Sequence, residues 1–205
     1  MSGNLFKGIM EEEYEAIHRD CLSLSTELDK IVPLAKKIHI LSSNALSGAI
    51  RAGQKGDAFR VLAQEIQLLG VELSACVHDS QKAIADIVML SSNSTMFSEN
   101  NGKNVVGKCT KNNKLLSQKL TTLTDLFLTH ALVVKKCEYL AMITSFEAVS
   151  AGEHSVNFDA VSSVIRKIIN ELMMQSSLQQ SLLRDLSDVM DKLQYNQKDL
   201  LNAYR

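Results

Sequence analysis

The chain has little of what ends or bends secondary structure. Among its 205 residues there is one proline and there are nine glycines, tryptophan is missing, and aromatic residues make up 5%. An all-β sandwich or barrel needs frequent turn residues and large cross-strand side chains, so this composition argues against that class and for helix. An excess of charge of one sign is also lacking: 22 basic and 23 acidic residues are interspersed, for a net charge of −1. Such a balance leaves no electrostatic footprint for nucleic acid or an anionic membrane surface. No apolar run approaches the roughly 20 residues that span a bilayer, and the start, MSGNLFKGIMEEEYEAIHRD, lacks the basic-then-apolar order of a signal peptide. The expectation is a soluble cytoplasmic protein, without membrane insertion, whose 45% hydrophobic residues build a core.

Cysteine chemistry is sparse as well. Cys21, Cys76, Cys109 and Cys137 form no closely spaced pair, so reduced, packed thiols are expected. His18 with Cys21, and Cys76 with His78, could each supply two metal ligands, but a helical hairpin would hold the two pairs about ten residues apart along its length. No metal and no cofactor are expected.

What the sequence does have is heptad periodicity. Ile17, Cys21, Leu24, Leu28, Ile31, Ala35, Ile38, Ala45 and Ala49 alternate steps of three and four, with Ser42 in phase. Phe59, Leu62, Ile66, Leu69, Leu73, Cys76, Ala83 and Ile87 do the same, with Ser80 in phase. Between the two runs lies Arg51-Ala-Gly-Gln-Lys-Gly-Asp57, whose two glycines permit a tight reversal, so the flanking helices must pack antiparallel. Pro33 inside the first run should kink or briefly break it. A third seam runs through Leu116, Leu120, Leu123, Phe127, Val134, Cys137, Ala141 and Ala148, and a fourth through Phe158, Val161, Ile165, Ile168, Leu172, Leu182, Leu186, Val189, Leu193 and Leu200, with Gln175, Gln179 and Asn196 in phase. The pattern predicts hairpins over residues 1–90, with a tip at 51–57, and 114–205, with a tip at 150–156, joined by a flexible Asn/Ser-rich linker at 91–113. Shifting the sequence by 99 residues brings Lys36, Lys37, Leu41, Ala49, Ala52, Gly53, Phe59 and Ile66 onto Lys135, Lys136, Leu140, Ala148, Ala151, Gly152, Phe158 and Ile165. Both tips and all four seams stay in register, which reads as a tandem duplication. The predicted fold is all-α: an elongated antiparallel four-helix bundle of two hairpins, with both tips at one end.

The first tip resembles the hairpin tip of bacterial methyl-accepting chemotaxis receptors. Asn44, Ala49, Arg51, Ala52, Gly53, Gly56, Phe59, Val61, Ala63 and Glu65 match that family's spacing through the turn and both flanking helices. The second tip keeps Glu147, Ala148, Ala151, Gly152, Glu153, Phe158, Arg166 and Ile168. The resemblance covers about 40 residues in the first copy and less in the second. In that family two receptor hairpins pair as a homodimer, whose tip binds a coupling protein and a histidine kinase and packs into arrays with other receptors. Here it implies a soluble, non-enzymatic, single-chain pseudo-dimer of the receptor tip, monomeric, cytoplasmic and associated with arrays. By the same resemblance, Ile40, Asn44, Val61, Leu62 and Glu65 would line the groove for the coupling protein or kinase, and Arg51, Gly53, Phe59, Glu147, Gly152 and Phe158 would make tip contacts.

The departures from the family are specific. Its tip glutamate is Gly48 in the first copy and survives as Glu147; its tip arginine is Arg51 in the first copy and Ser150 in the second. The groove positions of the second copy are Tyr139, Ile143, Ala160, Val161 and Val164, so hairpin one is expected to dock the partner and hairpin two to complete the bundle. Simpler roles stand beside these: Asn44 as a polar register device in a seam, Arg51 as a countercharge to the carbonyls ending its helix, Phe59 as core. Receptor methylation needs paired Glu or Gln flanked by small residues; Gln179-Gln180 has Leu183 where a small residue belongs, so no methylation is expected. Nothing supports an enzyme: Glu11, Glu12 and Glu13 read as a charged first turn, and Gly53-Gln-Lys-Gly56 follows a helix and lacks the Lys-Ser/Thr ending of a phosphate loop. The rival reading is a diverged helical-bundle adaptor serving an unrelated protein. A chain that dimerises through its seams is another.

Overall fold

The computed structural model describes residues 2–92, 102–150 and 155–203, all of which are helical apart from the single-residue breaks and the first tip. Helix α1 spans Ser2–Asp29 and α2 Ile31–Arg51; a short 3-10 turn, Gly53–Gly56, leads into α3, Asp57–Ser91; α4 spans Gly102–Ser150 and α5 Ser155–Ala203. No strand occurs among the described residues, so the fold is all-α. The break between α1 and α2 falls at Lys30, three residues before Pro33. A proline there removes an amide donor and would clash with the carbonyl four residues back; restarting the helix puts it in a first turn, where the missing donor costs nothing.

The chain divides into two compact units. The tip unit comprises Glu27–Asp79 and Phe127–Leu178, and the terminal unit comprises Met1–Thr26, Ser80–Leu126 and Gln179–Arg205. Within the tip unit the antiparallel register of each hairpin is marked by a side-chain contact: Gln67 Nε2 donates to Ser43 Oγ at 3.1 Å, and Ser162 Oγ, whose shorter bond is to its own helix, lies 3.3 Å from the Thr144 carbonyl oxygen. In the terminal unit Lys119 meets Asp86 at 2.6 Å while Asn112 donates to the Leu90 carbonyl at 3.1 Å. Asn113 donates to Gln197 at 2.7 Å and Gln194 to Ser117 at 3.3 Å. As one index rises the other falls, so α4 runs antiparallel to both α3 and α5.

The core follows the heptads closely. Every seam position from Ile17 to Ala49 is buried, and the same phase extends back to Met10 and Tyr14. The third seam is equally deep apart from half-buried Leu120. Along α3 and α5 the deepest series is displaced by one residue at every second position. It runs Phe59, Ala63, Ile66, Gly70, Leu73, Val77 in α3 and Phe158, Ser162, Ile165, Ile169, Leu172, Ser176, Gln179 in α5. Leu62, Val161, Gln175, Leu182 and Val189, expected in the seam, are half-buried. The reason is size. Ala63, Gly70, Ser162 and Ser176 are small enough to let helices approach, as at Gly70, where a β-carbon would lie 3.1 Å from Ile38 Cγ2; counting apolarity favours their larger neighbours.

The linker expected at 91–113 is corrected. Residues 93–101 lie outside the described residues, but α4 begins at Gly102, so 102–113 is helix. Cys109 and Asn113 continue the third seam inward, and Asn112 and Asn113 are buried. The Tyr14 hydroxyl donates to Asn113 Oδ1, and Asn112 Nδ2 donates to the Tyr14 oxygen at 3.2 Å. The asparagines that suggested a loop form a polar core layer whose groups satisfy one another. Burial drives the Tyr14 hydroxyl well above its ordinary pKa, against the bond from Asn112. Glu11, Glu12 and Glu13 also lie in mid-helix, not in a first turn. Glu13 accepts from Asn196 at 2.7 Å, and partial burial raises its pKa.

Tyr14→Phe leaves a buried amide oxygen without its donor, so it should destabilise the fold by about 1–3 kcal/mol in urea unfolding, although it adds no cavity.

Candidate functional site

The first tip is built by two glycines with different tasks. Gly53 sits at φ +61°, the left-handed region that favours glycine, and it turns the chain out of α2. Gly56 has no room for a side chain: a β-carbon there would lie 2.3 Å from the Ala49 carbonyl oxygen. The Ala52 amide closes the end of α2 onto the Gly48 and Ala49 carbonyls at 3.1 and 3.2 Å. Arg51 is exposed in that last turn, where its charge complements the helix C-terminus.

Beneath the tip, Phe59 and Phe158 stack with ring centroids 4.1 Å apart and planes inclined by 16°. Ala45, Ala49, Ala63 and Ala148 surround the pair, leaving room for two phenyl rings. Phe59 and Phe158 are therefore core residues, as the simpler reading of Phe59 had it. Gly152 lies outside the described residues. Glu147 is half-buried, and at its counterpart Gly48 a β-carbon would make ordinary contact with Phe158 Cε1 at 3.7 Å and Arg51 Nη2 at 4.0 Å.

The groove residues read from the resemblance line different depressions. Ile40 faces Gly70 and Val71 between α2 and α3. Asn44 and Arg51 border an opening with Phe158 and Val161 of hairpin two. Glu65 lines a third depression with Leu68, Glu72 and, from α4, Leu132, Lys135 and Lys136. Val61 is exposed beside Leu62, which is half-buried.

A further feature belongs to hairpin two. An open groove of about 670 Å³ lies between α4 and α5, floored by Ala141 and Ile169 and lined by Tyr139, Met142, Phe146 and Val149. Charges of both signs, Lys135, Glu138, Asp159 and Arg166, stand around it. Reading the second copy as the half that mainly completes the bundle overlooked it. The signal was present in the spacing of Tyr139, Met142, Phe146 and Val149, again in steps of three and four, on the face away from the seam.

No known family model matches the chain, and no curated protein matches it.

Elsewhere the polar and reactive groups are enclosed. All four cysteines are buried and none is in a disulfide; burial pushes the thiols of Cys21 and Cys137 up to about 12 and that of Cys109 to about 11, which keeps these three protonated at neutral pH. His130 is buried edge-on to Phe127, at 6.3 Å between ring centroids. Among the described residues no group of three or more His, Cys, Asp or Glu is placed to hold a metal ion, and no helix is long and apolar enough to cross a membrane. Gln179 is fully buried.

Two measurements probe the tip. Phe59→Ala and Phe158→Ala should each cost about 3–5 kcal/mol, and a double-mutant cycle should give less than the sum because each ring packs on the other. Gly48→Ala should stabilise α2 by up to about 1 kcal/mol, whereas Gly56→Ala should lower the melting temperature because the Ala49 carbonyl must move.

Proposed function

We propose that the protein is a non-enzymatic scaffold: a single-chain counterpart of a chemoreceptor tip dimer, which docks a coupling protein and histidine kinase of the chemotaxis type and associates with receptor arrays in the cytoplasm. The observation that carries this reading is the Phe59–Phe158 stack. The two residues are 99 positions apart, the same offset that superposes the two hairpins, and they touch across the middle of the tip unit. A residue meets its own counterpart only on a twofold axis, so the contact is the mark of an isologous pair closed within one chain. Tyr14 and Asn113 stand at the same offset in the terminal unit. Together with the receptor-like tip sequence, this supports a covalent pseudo-dimer.

Hairpin one is the docking half in this reading. Ile40, Asn44, Val61 and Glu65 are exposed around its tip, so each is available to a partner. Because Ile40, Asn44 and Glu65 line three different depressions, the partner would grip the hairpin from more than one side.

A second reading is favoured by the charge at that tip: Arg51, Lys55, Asp57 and Arg60 are exposed, with Asp57 and Arg60 paired at 3.3 Å. A charged tip suits a helical-bundle adaptor for an unrelated protein. Co-purification with the kinase and coupling protein separates the two. Under the first reading Asn44→Ala with Glu65→Ala should reduce capture at least about tenfold with the fold intact; capture left unchanged by the pair, or no capture by the wild type, would favour the adaptor.

A further inference from the structure

Helix α4 carries two heptad stripes. One is the buried seam. The other, on the opposite face, consists of Leu128, Leu132, Tyr139, Met142, Phe146 and Val149, spaced four, seven, three, four and three, with Lys135 filling the one vacant heptad position. Leu132 is 60% exposed, Tyr139 59% and Val149 75%. A surface helix normally presents polar residues on its outer face, so a second apolar seam over 22 residues, about 33 Å, calls for a helix to cover it. The corresponding positions of hairpin one are Asp29, Pro33, Lys36, Ile40, Ser43, Ser47 and Ile50, mostly polar. The stripe is therefore a property of the second hairpin and not a by-product of folding the bundle.

We propose that two copies of this protein associate through these stripes, α4 against the α4 of a partner copy, in antiparallel orientation about a twofold at the level of position 137. Charge selects the occupant and the orientation. With the axis at that level Leu128 meets the partner's Phe146, Leu132 meets the partner's Met142, and Lys135 meets the partner's Tyr139, so from Leu128 to Phe146 every layer pairs one stripe residue with another, and Val149 lies beyond the paired stretch. Lys135 is the only charge in the stripe and makes no ion pair among the described residues, nor does Glu138. In the antiparallel arrangement Lys135 comes beside the partner's Glu138, and the reciprocal pair forms by symmetry. A parallel, in-register pairing would instead set Lys135 against the partner's Lys135 inside the seam, two like charges in the least hydrated part of the contact. The aliphatic stem of Lys135 covers its apolar neighbours while its ammonium reaches the rim.

This association leaves the seams within each chain intact, and so differs from a dimer that exchanges hairpins. It replaces the monomer expected from the sequence. It is also independent of hairpin one, so loss of kinase capture and loss of self-association are separable results.

Sedimentation velocity over a concentration series tests it. The expected result is a reversible dimer of twice 22.7 kDa. Leu132→Glu or Met142→Glu should weaken it at least about tenfold, while Met89→Glu, at an exposed position of α3, should not. Circular dichroism verifies that each variant remains helical. Orientation is read by mixing Leu132→Cys copies with Met142→Cys copies under mild oxidation, the native thiols being buried. Disulfides between unlike copies support the antiparallel pair, whereas efficient cross-linking of Leu132→Cys copies alone overturns it. A monomer at every concentration, or a dimer indifferent to both glutamate variants, overturns the proposal, as does a monomer whose stripe variants lose only capture of the kinase or coupling protein.

Discussion

The contact between Phe59 and Phe158 constrains the tip more than any other. Two phenyl rings stacked at 4.1 Å occupy the middle of the bundle, and the four helices around them can close only if the residues at the same level are small. Ala45, Ala49, Ala63 and Ala148 meet that condition. Close approach at that level in turn sets where the chain must reverse. With Ala49 packed against the ring pair, its carbonyl stands 2.3 Å from where a β-carbon on Gly56 would be, so the turn can be made only with glycine at that position. Core packing, helix spacing and turn chemistry are thus one requirement expressed at three places.

A pairing of counterparts places unequal demands on the two halves. Positions on the inner faces answer to both hairpins at once, and they keep their burial at the 99-residue offset: Met10 and Cys109, Ile17 and Leu116, Ala49 and Ala148, Phe59 and Phe158 are all buried. Two polar replacements there satisfy their hydroxyls within their own helix. Ser162 replaces Ala63 and donates to the Phe158 carbonyl one turn back at 2.8 Å, and Thr144 replaces Ala45 and donates to Leu140 at 2.6 Å. Outer faces answer to nothing inside the bundle, and there the halves differ freely: Ser43 and Ser47 stand opposite Met142 and Phe146.

How much of this was legible in the sequence follows from what each signal measures. Heptad spacing measures which side of a helix is apolar, and it located the seams from Ile17 to Ala49 and from Leu116 to Ala148, with few exceptions. It misplaced alternate positions of α3 and α5 because depth there is reached by Ala63, Gly70, Ser162 and Ser176, whose small volume draws helices together while contributing little hydrophobicity. Composition misread residues 102–113 for a related reason. Asparagine favours turns because its side chain competes for backbone bonds, but Asn112 and Asn113 direct theirs to Tyr14, Leu90 and Gln197, none of which a local window contains. The candidate surface was less legible than the fold. Tip glycines announce themselves by type, whereas whether Ile40, Asn44 and Glu65 share a groove depends on how four helices rotate about their axes.

That rotation also explains why the outer stripe of α4 carries information that the inner seam does not. An inner seam is required by any bundle, and its residues say only that the helix is packed. Once the inner face is filled by Phe127, Val134, Cys137 and Ala141, folding places no further demand for apolar residues on the far side, and water favours polar ones there. Leu128, Leu132, Tyr139 and Met142 nonetheless hold that side in heptad phase, while the same positions of hairpin one hold Asp29, Pro33, Ile40 and Ser43. A scattered set of exposed apolar residues needs no explanation, since most surfaces have them. Heptad phase does, because a spacing matched to a helical partner serves no purpose in contact with solvent. Lys135 then restricts the arrangement further, since a charge within an apolar seam tolerates few alignments, and reversing the second helix brings a carboxylate within its reach.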